Sequence, residues 1–243
     1  MSAERTLEIL ELFTINQREL SVPQMAELLD KPTSSVYRHL RVLKEKGFVT
    51  EQSNGFYRLG YRFLELATIV KSYSSISEIS LPYMRELTRE TGETSILTVR
   101  SDLNVVSLEV VSSHEPVNVS SEQGKIIPLY GGASSKPLLA YADESVLDEL
   151  FDKDIVQKHT DKTITNKGEL KRELADIREN GYSTSDEELD IGVYAIGVPI
   201  QDANNYTVAT LSIAGPRERM LQKNQTELIN KLLDSVKQIQ KYL

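Results

Sequence analysis

The punctuation of the first sixty residues constrains the fold most. Glu4 to Phe13 places Leu7, Leu10 and Phe13 at helical spacing. Ser21 stands ahead of Val22-Pro23 and three residues before Gln24, which has the form of a capping box. Met25, Leu28 and Leu29 line one face of the short helix that follows. Pro32 disfavours helical geometry at Lys31 and so separates this helix from the next. From about Ser34 to Lys46, Val36, Leu40 and Leu43 recur at i, i+4 and i+7, and Gly47 stops the helix. Phe48–Gln52 and Phe56–Leu59 then flank Ser53-Asn54-Gly55, a hairpin signal. Helix, helix, turn, helix, hairpin is the order of a winged helix-turn-helix.

The third helix carries the chemistry. Opposite its apolar stripe stand Ser34, Tyr37, Arg38, Arg41 and Lys44. Three cations on one helix are, alone, as readily a solvated face as a ligand face. Behind a capped helix and a tight turn, and ahead of an Asn-Gly wing, they point to a helix that enters the major groove of double-stranded DNA. The expected DNA contacts are Thr33, Ser34, Ser35, Tyr37, Arg38, Arg41 and Lys44, with Tyr57 and Arg58 of the wing along phosphates or the minor groove. His39 lies off the cationic face and is assigned to packing.

The charge is divided in the same way. Residues 1–73 hold 10 Lys/Arg against 9 Asp/Glu, while residues 74–243 hold 18 against 27. The acidic excess therefore belongs to the second part, and a local basic patch in the first acts on its own within a screening length of about 8 Å. The expected domains are 1–59 (winged helix-turn-helix), 60–74 (linker helix) and 75–243 (effector binding and oligomerisation). The linker carries Phe63, Leu66, Ala67 and Val70 at helical spacing, a stripe suited to a partner subunit or to packing within the chain. Ser72-Tyr-Ser-Ser-Ile-Ser77 is the best boundary.

Beyond it, a helix is expected over Ser77–Thr91, and strands over Thr94–Val99, Val105–Val111, Val117–Val119 and Ile126–Leu129. Helices follow over Pro137–Ala142, Glu144–Phe151 and Gly168–Asn180, strands over Val193–Ile200 and Tyr206–Ala214, and a last helix over Asn224–Leu243. Strands in pairs with helices between them imply an antiparallel or mixed sheet in an α+β chain.

Other functional classes find little support. There is no Cys, so neither a disulfide framework nor a thiolate site is available. No apolar run approaches the roughly 18–20 residues that span a bilayer, and the first residues lack a signal-peptide pattern, so a cytoplasmic protein without membrane contact is expected. His39, His114 and His159 are far apart, and no Gly-x-Ser-x-Gly, phosphate loop or Gly-x-Gly-x-x-Gly occurs. No catalytic residue, metal or cofactor is expected. Asp186-Glu-Glu188 reads as a solvated loop.

Several stretches together resemble the isocitrate lyase regulator (IclR) family of bacterial transcription factors. They are Glu4–Phe13, Ser34–Val49, Gly55–Gly60, Glu90–Thr94, Gly132–Lys136, Gly181–Pro199 and Leu211–Pro216, in the right order over essentially residues 3–242. The resemblance implies a winged helix, a linker helix and a GAF-like mixed α/β effector-binding domain. It implies dimers, or dimers of dimers, on palindromic operators, acting as repressors or activators and tuned by organic acids or aromatic compounds. A ligand-independent regulator is the alternative, with a small-molecule enzyme a distant third.

Gly132, Ala133, Ser134 and Ser135 precede a predicted helix, where free N–H groups and hydroxyls favour an anion. The bland alternative is a simple capped helix start. The resemblance makes this loop line the effector pocket with Asp186, Ala195 and Ser212, while Ile127 and Leu129 supply apolar walls. Ala195 stands where many members have Cys, and Ala214 where a Ser is frequent. The effector is then less polar than glyoxylate or pyruvate, or the pocket is unused.

Overall fold

The computed structural model describes residues 2–73 and 75–243. Met1 and Ser74, the latter inside the Ser-rich boundary, lie outside the described residues. The chain divides into two compact units, Met1–Ser74 and Ser75–Leu243.

The first unit runs α1 (Ser2–Glu11), β1 (Leu20–Ser21), α2 (Val22–Leu28), α3 (Thr33–Glu45), β2 (Val49–Glu51), β3 (Phe56–Leu59) and α4 (Arg62–Tyr73). The Gln24 side chain accepts the Ser21 N–H at 2.9 Å, closing the expected capping box. Ile9, Leu20, Met25, Val36, Leu40, Leu43 and Val49 form one core beneath the three helices. His39 is buried beside it, with its Nδ1 2.8 Å from Thr6 Oγ1. Gly55, at φ +79°, turns the hairpin, and Asn54 Oδ1 accepts the Phe56 N–H at 3.2 Å. Strand β3 is central in the order β1-β3-β2, with Glu51 directly opposite Tyr57. The short β1 carries no sequence signal of its own; it forms because β3 offers it a paired edge.

The second unit runs α5 (Ser75–Thr91), β4 (Thr94–Ser101), β5 (Asn104–Val111), β6 (Ile126–Pro128), α6 (Lys136–Ala140), α7 (Glu144–Asp152), α8 (Lys167–Asn180), β7 (Ser183–Asp186), β8 (Val193–Gln201), β9 (Thr207–Pro216), α9 (Arg217–Gln222) and α10 (Gln225–Gln240). Its sheet has the order β6-β5-β4-β9-β8-β7, and every neighbouring pair is antiparallel. One face buries Leu97, Ile196, Val198, Leu211 and Ile213 against Met84 and Leu87 of α5 and Leu228, Leu232 and Val236 of α10. A second core joins Val105, Ile127 and Leu129 to α6, α7 and α8.

One expected strand is corrected, and one strand forms where none was expected. Val117–Val119 is not a strand; its carbonyls are taken by side chains instead, Val117 O by Arg219 and Val119 O by Thr94. Ser183–Asp186 is a strand despite its polar sequence, because its backbone pairs with β8 and needs no apolar face.

Candidate functional site

The first candidate surface is the exposed face of α3. Thr33, Ser34, Tyr37, Arg38, Arg41 and Lys44 are exposed, and Ser35 is half-buried. Ser34, Tyr37, Arg38, Arg41 and Lys44 line a groove whose far wall is Glu51 and the edge of Tyr57. Helical spacing alone produces this alignment: Val36, Leu40 and Leu43 point into the core and turn the remaining positions outward. Lys44 Nζ lies 2.5 Å from Glu51 Oε2. The Glu51 carboxyl, hydrogen-bonded to that ammonium, is held below its ordinary range, and Lys44 is raised by the same bond. Arg58 is exposed and paired with Glu19.

Tyr57 departs from its expected place. It is 5% exposed, and its ring belongs to the core rather than to a phosphate-facing wing. Alternation along β3 turns Arg58 outward and Tyr57 inward.

The second candidate is a cavity of about 210 Å³ in the Ser75–Leu243 unit. The loop Gly131–Ser135 forms its floor and is held on the sheet by three devices. Thr98 Oγ1 donates to Ser134 O at 2.7 Å, and Ser183 Oγ donates to Ala133 O at 2.7 Å. Gly197 permits the approach, since a Cβ there would lie 2.0 Å from Ala133 O. Among the described residues, the N–H groups of Ala133 and Ser134 have no hydrogen-bond partner. The Gly132 N–H is already taken, donating to Glu188 Oε2 at 3.0 Å. Ile96, Ile127, Leu189, Val193, Ala195 and Ala214 give apolar walls, and Ser134, Ser185, His159, Lys125 and Asp190 give polar ones. Tyr130 Oη lies 2.9 Å from His159 Nε2.

Of the effector residues expected from sequence, Ile127, Gly132, Ala133, Ser134 and Ala195 line this cavity. Leu129, Asp186 and Ser212 do not. Leu129 is fully buried in the core beside α6–α8. Ser212 is buried in β9, its hydroxyl donating to Ile96 O. Asp186 is held by Arg217, at 2.5 Å and 3.0 Å, and by Lys162 at 3.0 Å. The Arg217 hydrogen bond depresses its carboxyl despite partial desolvation.

Sequence reasoning passed over Lys136, Glu188, His159, Leu189 and Glu51. Glu188 is not part of a solvated loop: it is buried and meets the fully buried Lys136, Oε1 to Nζ, at 2.6 Å. Lys136 Nζ also reaches Glu173 at 2.6 Å and Thr184 O at 2.8 Å. The available signal was a lysine opening the apolar run Lys136-Pro-Leu-Leu-Ala140, where an unpaired charge would not be tolerated.

A basic-faced helix in a winged unit, followed by a unit with a largely apolar cavity, is consistent with the class of transcriptional regulators. Comparison with known families makes this specific. Residues 2–53 match the IclR helix-turn-helix domain, and residues 68–241 match the bacterial transcriptional regulator IclR C-terminal domain. The chain belongs to the IclR family and is a DNA-binding transcriptional regulator. It is 29% identical over 235 residues to the HTH-type transcriptional regulator KipR of Bacillus subtilis, covering 97% of this chain and 94% of that one. It is 25% identical over 241 residues to the transcriptional repressor IclR of Escherichia coli, covering 98% and 88%. The crystal structure of the Thermotoga maritima IclR matches with a TM-score of 0.74 and 32% identity, covering 100% and 98%. An IclR homologue from Microbacterium hydrocarbonoxydans, complexed with 4-hydroxybenzoate, shares the fold, with a TM-score of 0.84 and 24% identity, over 99% and 98% of the two chains. Among the described residues, no helix is long and apolar enough to cross a membrane.

Proposed function

We propose that the cavity on the Gly131–Ser135 loop binds a small carboxylate effector, aliphatic or aromatic, and that this ligand tunes the affinity of the α3 face for an operator. The observation that carries the reading is the pair of free amides, Ala133 and Ser134, in a cavity with apolar walls. Amides and a serine hydroxyl suit an anion; Ile96, Ile127, Leu189 and Val193 suit a hydrocarbon body. About 210 Å³ is below the roughly 300–1,000 Å³ of sites for drug-sized ligands, so a small metabolite is favoured. The 4-hydroxybenzoate bound by the Microbacterium homologue is of this chemical type.

In this reading α3 enters the major groove and Arg38 and Arg41 meet bases or phosphates. The protein acts as a dimer, or a dimer of dimers, on a palindromic operator in the cytoplasm. Leu64 and Val70 of α4 are 63% and 64% exposed, apolar area that a second subunit would cover. Coupling between ligand and DNA is of the usual order, about 1–3 kcal/mol.

The test is a thermal-shift screen of the full chain against mono- and dicarboxylates, including benzoates. A true effector at 100 times its Kd adds about 2.7 kcal/mol to the stability of the unit that holds it. Hits then go into operator-binding titrations. A screen with no shift, or a hit that leaves DNA affinity untouched, would leave the protein a ligand-independent regulator and sink the proposal.

A further inference from the structure

The α3 groove contains a carboxylate, Glu51, among the cations of the face proposed to meet DNA. Glu51 ends β2 and stands across the groove from α3, its carboxylate 2.5 Å from Lys44 Nζ. It is fixed there from behind. Its register partner is Tyr57, which is buried in the core, so the β2 end that bears Glu51 cannot swing away without exposing that ring. Both side chains of the pair are nevertheless open to solvent, 52% exposed for Lys44 and 38% for Glu51. Each shifts the other further toward its charged form, through the hydrogen bond and the opposite charge.

A lysine in this position is the simplest kind of phosphate binder, a point charge on a flexible stem. Every phosphate that Lys44 neutralised would release condensed counterions and add affinity for any sequence at all. Glu51 offers the same ammonium an anion within the protein. DNA that presents only backbone must displace this carboxylate and leave it facing phosphate.

We infer that Glu51 is a specificity-determining residue: it competes with DNA phosphate for Lys44 and so holds down affinity for arbitrary duplex. Arg38, across the same groove, has no acidic partner among the described residues and is left to bind DNA. The inference rests on α3 being the DNA-facing helix.

The experiment uses the full-length protein and a fluorescein-labelled 30-bp duplex of scrambled sequence, with binding followed by anisotropy from 50 to 200 mM salt. The variants are Glu51→Gln, Lys44→Gln, the double variant and Arg38→Ala, each checked for an unchanged melting temperature. Glu51→Gln is expected to bind more tightly than the native protein, with a slope of log K against log salt steeper by about 0.9, the value of one added phosphate contact. Its advantage at 50 mM then shrinks about 3.5-fold by 200 mM. Lys44→Gln in the same chain should remove the gain, because the freed ammonium is its source. Equal affinity and slope for the native and Glu51→Gln proteins would overturn the inference. So would a gain that survives in the double variant, since that is a general charge effect. Weaker binding by Glu51→Gln would overturn it as well, leaving the pair a brace of the wing. Failure of the underlying reading looks different: Arg38→Ala and Lys44→Gln would then both leave binding to this duplex unchanged.

Discussion

Replacing Lys136 by Met tests how the cavity floor is built. Its ammonium is fully buried and meets Glu188 at 2.6 Å, Glu173 at 2.6 Å and Thr184 O at 2.8 Å. Methionine conserves the length and packing of the stem, so the change isolates the charge. Glu173 is 30% exposed and can turn to water; Glu188 is 9% exposed and is held by the Gly132 N–H, so it cannot. Removing one partner of a buried pair costs about 3–5 kcal/mol, because the other charge is left uncompensated. The relief available to Glu173 puts Lys136→Met near the lower end of that range. For a unit of this size 1 kcal/mol is worth about 2–4 °C, so a melting temperature lower by about 6–12 °C is expected. Urea unfolding followed by circular dichroism gives the free energy directly. Adding Glu188→Gln removes the stranded charge, so the double variant should recover at least about 1 kcal/mol relative to the sum of the single losses. A loss below about 1 kcal/mol for Lys136→Met, or strictly additive effects, would refute the claim that this pair holds the loop.

Three further outcomes are expected. Arg38→Ala should weaken specific DNA binding by about 1–3 kcal/mol if the guanidinium reads a guanine; an equal loss on scrambled duplex would assign it to phosphate instead. Gly197→Ala should destabilise the second unit by about 1–3 kcal/mol and blunt any ligand-induced shift, because its Cβ would meet Ala133 O at 2.0 Å and lift the loop from the sheet; a native melting temperature would contradict this. Asp186→Asn probes pH dependence. The Arg217 hydrogen bond depresses the folded-state carboxyl below its ordinary 3.8, so its stabilising effect is present above that value and lost as pH falls through the lower folded one. The native protein should outlast the variant in thermal melts at pH 7, and the gap should close below about pH 4; a constant gap would place the effect elsewhere.

What the sequence revealed follows the range of the interactions concerned. The stripe Val36, Leu40 and Leu43 and the pair Asn54-Gly55 announce themselves within a few residues, and the structure uses them as read. Gly132, Ala133 and Ser134 were visible as an amide-rich loop for the same reason. Lys136 and Glu188 are 52 positions apart, and neither residue's neighbours betray the other. Asp186 and Glu188 are adjacent in pattern but opposite in fate: alternation along the end of β7 sends one to Arg217 and the turn after it sends the other inward. Tyr57 was misplaced because a two-residue strand, Leu20–Ser21, makes β3 central and its inner side a core position. Polar strand Ser183–Asp186 was invisible because only its backbone pairing makes it a strand.

The pairing of cations in the first unit bears on how such a regulator is controlled. Lys44 is matched by Glu51, Arg58 by Glu19, Arg62 by Glu65 and, more loosely, Arg41 by Glu45. Each such pair sets an anion of the protein against a phosphate contact, and the sequence-independent affinity of one head rises with the number of phosphates it neutralises. If the protein acts as the dimer proposed above, two heads can engage one duplex, the second binding at the high effective concentration set by the first. That advantage disappears when geometry forbids both from engaging together. A ligand that altered the separation of two such heads would then not need to touch the DNA-reading side chains at all: a coupling of about 1–3 kcal/mol, spent on spacing, would change operator affinity roughly 5- to 150-fold.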